Sequence, residues 1–85
     1  MKSVERVSDM SEKKIKLTEI NEVKEFVHAA GQCDFDIDVF YNRIIIDAKS
    51  MLGVLSLDLS RELTVKYGGK DMSFEDVLNK YSVAW

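Results

Sequence analysis

Several residue types that mark particular functions are scarce or missing in this sequence. The chain of 85 residues contains no proline, one cysteine and one histidine. A single histidine excludes the usual multi-histidine metal sites, and a single cysteine cannot form an internal disulfide. Neither a glycine-rich phosphate loop nor a nucleophile paired with a base is recognisable. We therefore expect neither an enzyme nor a bound metal or cofactor.

Neither basic nor acidic residues are in large excess. Twelve basic residues stand against 15 acidic ones, interleaved along the chain, for a net charge of −3. Nucleic-acid binding, which needs a basic stripe, is disfavoured. No apolar run is long enough to span a membrane, and the first residues lack the apolar segment of a signal peptide. With its lone cysteine, interpreted as a structural thiol, the chain is expected to be cytoplasmic.

The composition that remains is that of one folded domain. Apolar residues make up 46% of the chain and charged residues 32%, and a domain of this length has a thin core. Residues 1–13 are polar, balanced in charge and without a sustained period. They are interpreted as a frayed or loosely helical leader, and the domain is expected to span 14–85.

Four stretches are predicted to be strands, three because polar and apolar residues alternate in them and one because it is a run of β-branched residues. They are residues 14–20, 35–39, 43–47 and 61–67. The unbroken isoleucine run in the third stretch predicts a strand that is more fully covered than the others. A turn at Tyr41-Asn42 precedes it, since asparagine tolerates positive φ. Three alternating aspartates are expected on the solvent face of the second strand: Asp34, Asp36 and Asp38.

Three helices are predicted between and after these strands. Asn21 is a favourable N-cap for the first helix, Ser50 for the second, and Ser73 with Asp76 approximates a capping box for the third. Gly31 ends the first helix, whose apolar face is formed by Val23, Phe26, Val27 and Ala30. The order is βαββαβα, which predicts an open-faced α+β sandwich: a four-stranded, mainly antiparallel sheet with every helix on one face.

The second helix has more apolar residues than so short a segment can bury. Val54 and Leu57, three residues apart, can point into the core. The remaining apolar residues are then left at its edge or in solvent: Met51, Leu52 and Leu55. An exposed apolar patch beside a capping serine is typical of a docking surface. The spacing alone leaves open the alternative that all of these residues belong to the core.

The element order, together with the segment Ala48-Lys49-Ser50-Met51-Leu52-Gly53-Val54-Leu55-Ser56-Leu57, resembles the phosphocarrier protein HPr of the bacterial sugar phosphotransferase system. The resemblance covers about residues 14–82. In Gram-positive members of that family, the serine that opens the second helix is phosphorylated by a regulatory kinase, which makes Ser50 the regulatory candidate here. The family's partner surface follows that serine. The resemblance implies that Lys49, Met51, Leu52 and Leu55 bind partners, namely phosphotransferase-system proteins, the HPr kinase or a transcription regulator.

The first helix departs from the family's pattern. HPr proteins carry their phosphoryl group on a histidine in a Gly-Leu-His-x-Arg-Pro-Ala stretch, whereas this chain has Leu17-Thr18-Glu19-Ile20-Asn21-Glu22-Val23 there. Glu19 and Glu22 would repel a phosphoryl group. His28 lies about two turns into the helix, where it is expected to be an ordinary solvated side chain.

Three hypotheses follow from these observations. The first is a non-enzymatic HPr-like binding or regulatory module that keeps the partner helix and has lost histidine phosphotransfer. The second is an active phosphoacceptor protein that uses Ser50 or a non-standard acceptor such as Glu19. The third is a ferredoxin-like binding module that matches the motif by chance; its sheet would have a different strand order.

Overall fold

The computed structural model describes residues 10–83. Its strands are β1 (Ser11–Ile15), β2 (Ile37–Tyr41), β3 (Ile44–Asp47) and β4 (Leu63–Tyr67). Its helices are α1 (Ile20–Gly31), α2 (Met51–Leu55) and α3 (Met72–Tyr81). The predicted order βαββαβα is confirmed.

The four strands form one sheet in the order β1-β4-β2-β3, and all neighbouring strands are antiparallel. This arrangement confirms the open-faced α+β sandwich. Because β1 lies at an edge of the sheet, the order is not that of a ferredoxin-like fold. The third hypothesis is therefore wrong.

The core lies between the sheet and the helices. The central strands β2 and β4 alternate buried and partly exposed residues, as expected where one sheet face is covered. The predicted apolar face of α1 is buried, and Phe74 and Leu78 of α3 are fully buried beside it. Within residues 10–83, all buried side chains are apolar or cysteine apart from Tyr67, whose hydroxyl donates to Glu75 at 2.7 Å.

The first strand begins earlier than predicted. β1 runs from Ser11 to Ile15 instead of over residues 14–20, and Lys13 lies opposite Val65 of β4. Residues 11–13 of the predicted leader thus belong to the sheet, while residues 1–9 lie outside the described residues. Ile15 is the one buried residue of this strand. The strand therefore shows little of the alternation of polar and apolar residues from which a strand is predicted. Pairing with β4 decides its position.

The third strand is the clearest error of the sequence-based prediction. Its isoleucine run predicted a covered strand, yet β3 lies at the edge of the sheet. Ile44 is 47% exposed and Ile45 59% exposed, whereas Ile46 is partly buried. Three consecutive apolar residues place some side chains on each face, and strand order decides which of them are covered.

The first helix begins two residues earlier than its best capping residue suggests. Its N-cap is Glu19, which makes no side-chain capping bond, rather than Asn21. Instead Glu22 reaches back, and its Oε1 accepts from the backbone N–H of Thr18 at 2.8 Å. Gly31 is the last helical residue, as predicted, although its φ is not positive.

The third helix is capped by Asp71 and not by Ser73. The Asp71 Oδ1 accepts from the Phe74 N–H at 3.0 Å, the usual bond of an N-cap side chain.

The turn between β2 and β3 agrees better with the prediction, because Asn42 has the positive φ, 55°, that was expected of an asparagine there. Tyr41 itself belongs to β2.

One polar cluster connects α1 to α3. The carboxylate of Glu25 accepts from the Tyr81 hydroxyl, and it accepts from the Lys80 Nζ at 2.7 Å. The hydrogen bond to this carboxylate, followed by partial burial, raises the pKa of Tyr81 to about 12. The stabilisation that neutral Tyr81 supplies is therefore fully present below its ordinary pKa of 10.0 and is lost as the pH rises through about 12.

Replacing Glu25 with glutamine should lower the pKa of Tyr81 toward its ordinary value, because the carboxylate that disfavours a phenolate is removed. Ultraviolet absorbance during an alkaline titration measures this, with Tyr81→Phe identifying the affected transition. Lys24→Gln, on an exposed position of the same helix, should leave the titration unchanged. A Tyr81 pKa that does not respond to Glu25→Gln contradicts the prediction.

Candidate functional site on the second helix

The turn between β3 and α2 is held from both sides by short polar side chains. Ser50 is the N-cap, as predicted, and its Oγ accepts from the Gly53 N–H at 3.1 Å. Before it, the Asp47 Oδ1 accepts from the Lys49 N–H at 2.9 Å, and the Asp47 carbonyl accepts from the Ser50 N–H at 2.9 Å. These bonds fix the direction in which a helix of only five residues leaves the sheet.

Gly53 allows α2 to lie directly on β3. A Cβ at this position would stand 2.7 Å from the Cγ2 of Ile46 and 3.1 Å from the Ser50 Oγ. Any side chain here would push the helix away from the strand. The glycine therefore sets the height of α2 above the edge of the sheet.

The apolar residues of this segment divide between core and surface. Val54 and Leu57 are buried, as the spacing predicts, and Met51 is half-buried against the core. Leu52 is 83% exposed and Leu55 is 36% exposed. The alternative that all of these residues are core is thus wrong. We call Met51, Leu52 and Leu55 the α2 patch.

Lys49, the remaining predicted partner-binding residue, also has a contact within the domain. Its Nζ donates to the carbonyl oxygen of Cys33 at 3.0 Å, which ties the start of α2 to the loop after α1. Its part in partner binding stays a prediction.

Cys33 is buried and has the surroundings of a structural thiol. Its Sγ donates to the Ala29 carbonyl at 3.5 Å. Burial raises the pKa of the Cys33 thiol, and the charge of Asp71 adds to the effect. Both causes disfavour the thiolate, which is the reactive form.

The start of α1 contains acidic side chains at the place where the HPr pattern has histidine and arginine. Glu19 is exposed, and Glu22 is bonded to Thr18. His28 is exposed in the last turn of the helix, about 12 Å along the axis from Ile20. The chain's only histidine is thus far from the helix N-terminus, where a phosphoryl group would meet free N–H groups.

Residues 10–83 show neither a metal site nor a membrane-spanning helix. Residues 10–83 contain no group of three or more His, Cys, Asp or Glu that could hold a metal ion. Within the same range, every helix is too short or too polar to cross a lipid bilayer.

The exposure of Ile44 and Ile45 was not predicted from the sequence. No signal in the neighbouring residues indicates that β3 is an edge strand.

Comparison with known proteins identifies the class of fold. The four-stranded antiparallel sheet with three helices is the HPr-like α+β fold. Among solved structures, the phosphocarrier protein HPr from Bacillus anthracis str. Ames is similar with a TM-score of 0.65, covering 85% of this chain and 96% of that chain at 20% identity. No protein-family model and no curated protein sequence matches this chain. At this identity the likeness establishes the fold and not the activity.

Proposed function

We propose that this protein is a non-enzymatic, cytoplasmic binding or regulatory module related to the sugar phosphotransferase system. It docks on protein partners through the α2 patch and Lys49, and it does not carry phosphate on histidine. The observation on which the proposal rests is Leu52, which is 83% exposed at the start of a helix whose cap and seat on the sheet are intact. With Met51 and Leu55 it forms an apolar cluster beside the capping serine, and a contiguous exposed apolar patch is typical of an interaction surface.

The second support is the contrast between the two helix starts. At α2, Ser50 and Gly53 make the capping bond that sets the helix. At α1, the chain has Glu19 and Glu22 where a phosphoryl carrier needs an imidazole and a cation. Like charges at this position oppose the arrival of a phosphoryl group. The chain thus keeps what a partner would contact and lacks what the transfer reaction requires.

Replacing Leu52 with aspartate should abolish partner binding while the domain stays folded, because a charge on the patch must be desolvated in the complex. Binding of purified phosphotransferase-system proteins, of the HPr kinase and of the system's transcription regulator is measured by NMR titration. Met72→Asp is the matched control, since Met72 is 73% exposed on α3. Equal binding by the Leu52 variant and the wild type contradicts the proposal.

The absence of histidine transfer is tested separately. The protein is incubated with phosphoenolpyruvate and the first enzyme of the system, with an HPr protein as positive control. No acid-labile phosphate should appear on this chain. A phosphohistidine at His28, or a labile phosphate at Glu19, contradicts this part of the proposal.

A second candidate function is phosphorylation of Ser50 by a regulatory kinase. Ser50 is exposed, and a phosphate there would place about −1.5 to −2 charges next to the α2 patch. Intact mass after incubation with HPr kinase and ATP should show one added phosphate on the wild type and none on Ser50→Ala. Ser56→Ala, at the other end of α2, is the control. An added phosphate that persists in Ser50→Ala excludes this assignment.

A further inference from the structure

Within residues 10–83, one edge strand of the sheet is covered by another segment and the other edge strand is not. The edge at β1 is covered by the segment after α3: Val83 N–H donates to the Lys14 carbonyl at 3.0 Å, and Ile15 forms a bridge with Ser82. The outer edge of β3 has no such cover within residues 10–83, where β2 is its one strand neighbour. An uncovered edge presents backbone groups that can pair with another strand.

The register shows which groups these are. Ala48 N–H donates to the Ile37 carbonyl at 2.9 Å, and Ile46 lies opposite Val39 two residues further along the same pairing. Hydrogen-bonded pairs alternate in antiparallel strands, so Ile46 also faces β2. The N–H and C=O of Ile45 therefore point away from the sheet, and its side chain is 59% exposed.

β3 has two of the usual protections of an edge strand, its short length and one charged residue, and it lacks the others. Natural edges are blunted by keeping the strand very short, by charged side chains such as lysine, by proline, by a bulge, by an inward-pointing charge or by a covering helix or loop. β3 consists of three isoleucines and Asp47, paired with β2 without a bulge. Apart from Asp47 the strand is apolar, and it contains no lysine, proline or bulge.

We propose that β3 pairs antiparallel with β3 of a second copy of this chain, about a two-fold axis at Ile45. In this register Ile45 lies opposite itself, and the two residues exchange both backbone hydrogen bonds. Arg43, the turn residue directly before β3, then lies across from Asp47 of the second copy, and Asp47 lies across from its Arg43. The segment from Arg43 to Asp47 is therefore complementary to itself in charge, as a two-fold interface requires.

The charge of Asp47 supports this partner in particular. Within the sheet, Asp47 lies directly opposite Asp38 of β2, and like charges in that position destabilise a sheet. One oxygen of Asp47, Oδ1, accepts from the Lys49 N–H, which leaves the other for a guanidinium. Arg43 of a second copy would offset the repulsion by Asp38.

The pairing has a consequence for the shape of the assembly. A two-fold axis perpendicular to the sheet keeps all the helices of both copies on one face. Because α2 contacts β3, the two α2 helices would lie on either side of the axis. The dimer would be a continuous eight-stranded sheet. Its interface is narrow, so it should be weak and reversible.

Sedimentation equilibrium over a range of concentrations up to about 1 mM tests the proposal. The wild type should show a monomer–dimer equilibrium, and Ile45→Lys should be monomeric with an unchanged circular dichroism spectrum, since Ile45 is largely exposed. The Ile45 amide should exchange more slowly with solvent as the concentration rises. A wild type that is monomeric throughout, or a dimer that survives Ile45→Lys, overturns the proposal.

Charge reversal tests the register. Arg43→Glu and Asp47→Arg should each weaken self-association by about tenfold or more, because each places like charges opposite one another twice. An equimolar mixture of the two variants should dimerise again, since both cross-strand pairs then become opposite in sign. Lys24→Glu makes the same change of charge as Arg43→Glu on an exposed position of α1 and should have no effect. Failure of the mixture to restore the dimer contradicts the pairing, as does a monomeric chain that binds only strands of other proteins.

Discussion

Replacing Phe74 with alanine should lower the free energy of unfolding by about 3–5 kcal/mol, because it removes a fully buried ring and leaves a cavity. The Phe74 ring lies between two others, with its centroid 6.0 Å from that of Phe26 and 5.3 Å from that of Tyr67. These contacts join α1, α3 and β4. A domain of 85 residues has a total stability of only about 4–13 kcal/mol. The substitution should therefore remove a large part of it.

Urea unfolding followed by circular dichroism measures the effect as a lower midpoint with an unchanged slope. Met72→Ala, two residues earlier on the same helix, is the control: this side chain is 73% exposed, and its truncation should change the stability by less than about 0.5 kcal/mol. A loss below about 1 kcal/mol for Phe74→Ala would mean that the neighbouring rings close the cavity, and it would contradict the prediction.

Replacing Val54 with aspartate should destabilise the domain by more than about 4 kcal/mol. Val54 is fully buried under α2, and an unpaired carboxylate there loses its hydration without gaining a partner. The same substitution at Leu52, two residues earlier, should leave the fold intact because that side chain stands in solvent. The two variants differ only in which face of one short helix receives the charge.

Amide dispersion in the NMR spectrum and cooperativity of thermal unfolding distinguish the two variants. Val54→Asp should lose both, and Leu52→Asp should keep both. If Val54→Asp unfolds as cooperatively and at the same temperature as Leu52→Asp, α2 can leave the core at little cost. The division of this helix into a core face and a solvent-exposed face would then be wrong.

The α2 patch and the open edge of the sheet are neighbours. The patch lies on the helix that Gly53 seats against β3, and the open edge belongs to β3 itself. Self-association along that edge would present two α2 patches on one face. Partners that engage both would gain effective concentration without any new contact. The dimer and the docking proposal nevertheless stand on different observations, and each can fail alone.

Much of the candidate site was predictable because its signals are local. A serine before a short apolar run predicts an N-cap, and the bond from Gly53 N–H to Ser50 Oγ confirms it. The three-residue spacing of Val54 and Leu57 predicts a shared buried face, which both occupy. Because these two residues occupy the buried face of the segment, Leu52 is left on the exposed face. Whether this surface binds a partner is not a local property, and it stays a prediction.

Other positions were not predictable because a residue elsewhere in the fold decides them. Asp71 and Ser73 are both good N-caps, and the helix begins where Phe74 can reach the rings of Phe26 and Tyr67. Lys13 belongs to a strand because Val65 is its partner in β4. In each case several local choices have similar energies, and a distant contact selects one of them.

The amino-acid sequence by itself determined the order of the elements, the buried face of α1 and the capped start of α2. These depend on periodicity and on hydrogen bonds between residues a few positions apart. Only the tertiary structure decided that β3 lies at the edge of the sheet, with Ile44 and Ile45 exposed. The physical reason is that periodicity reports which side chains share a face, whereas strand order depends on pairings between distant segments.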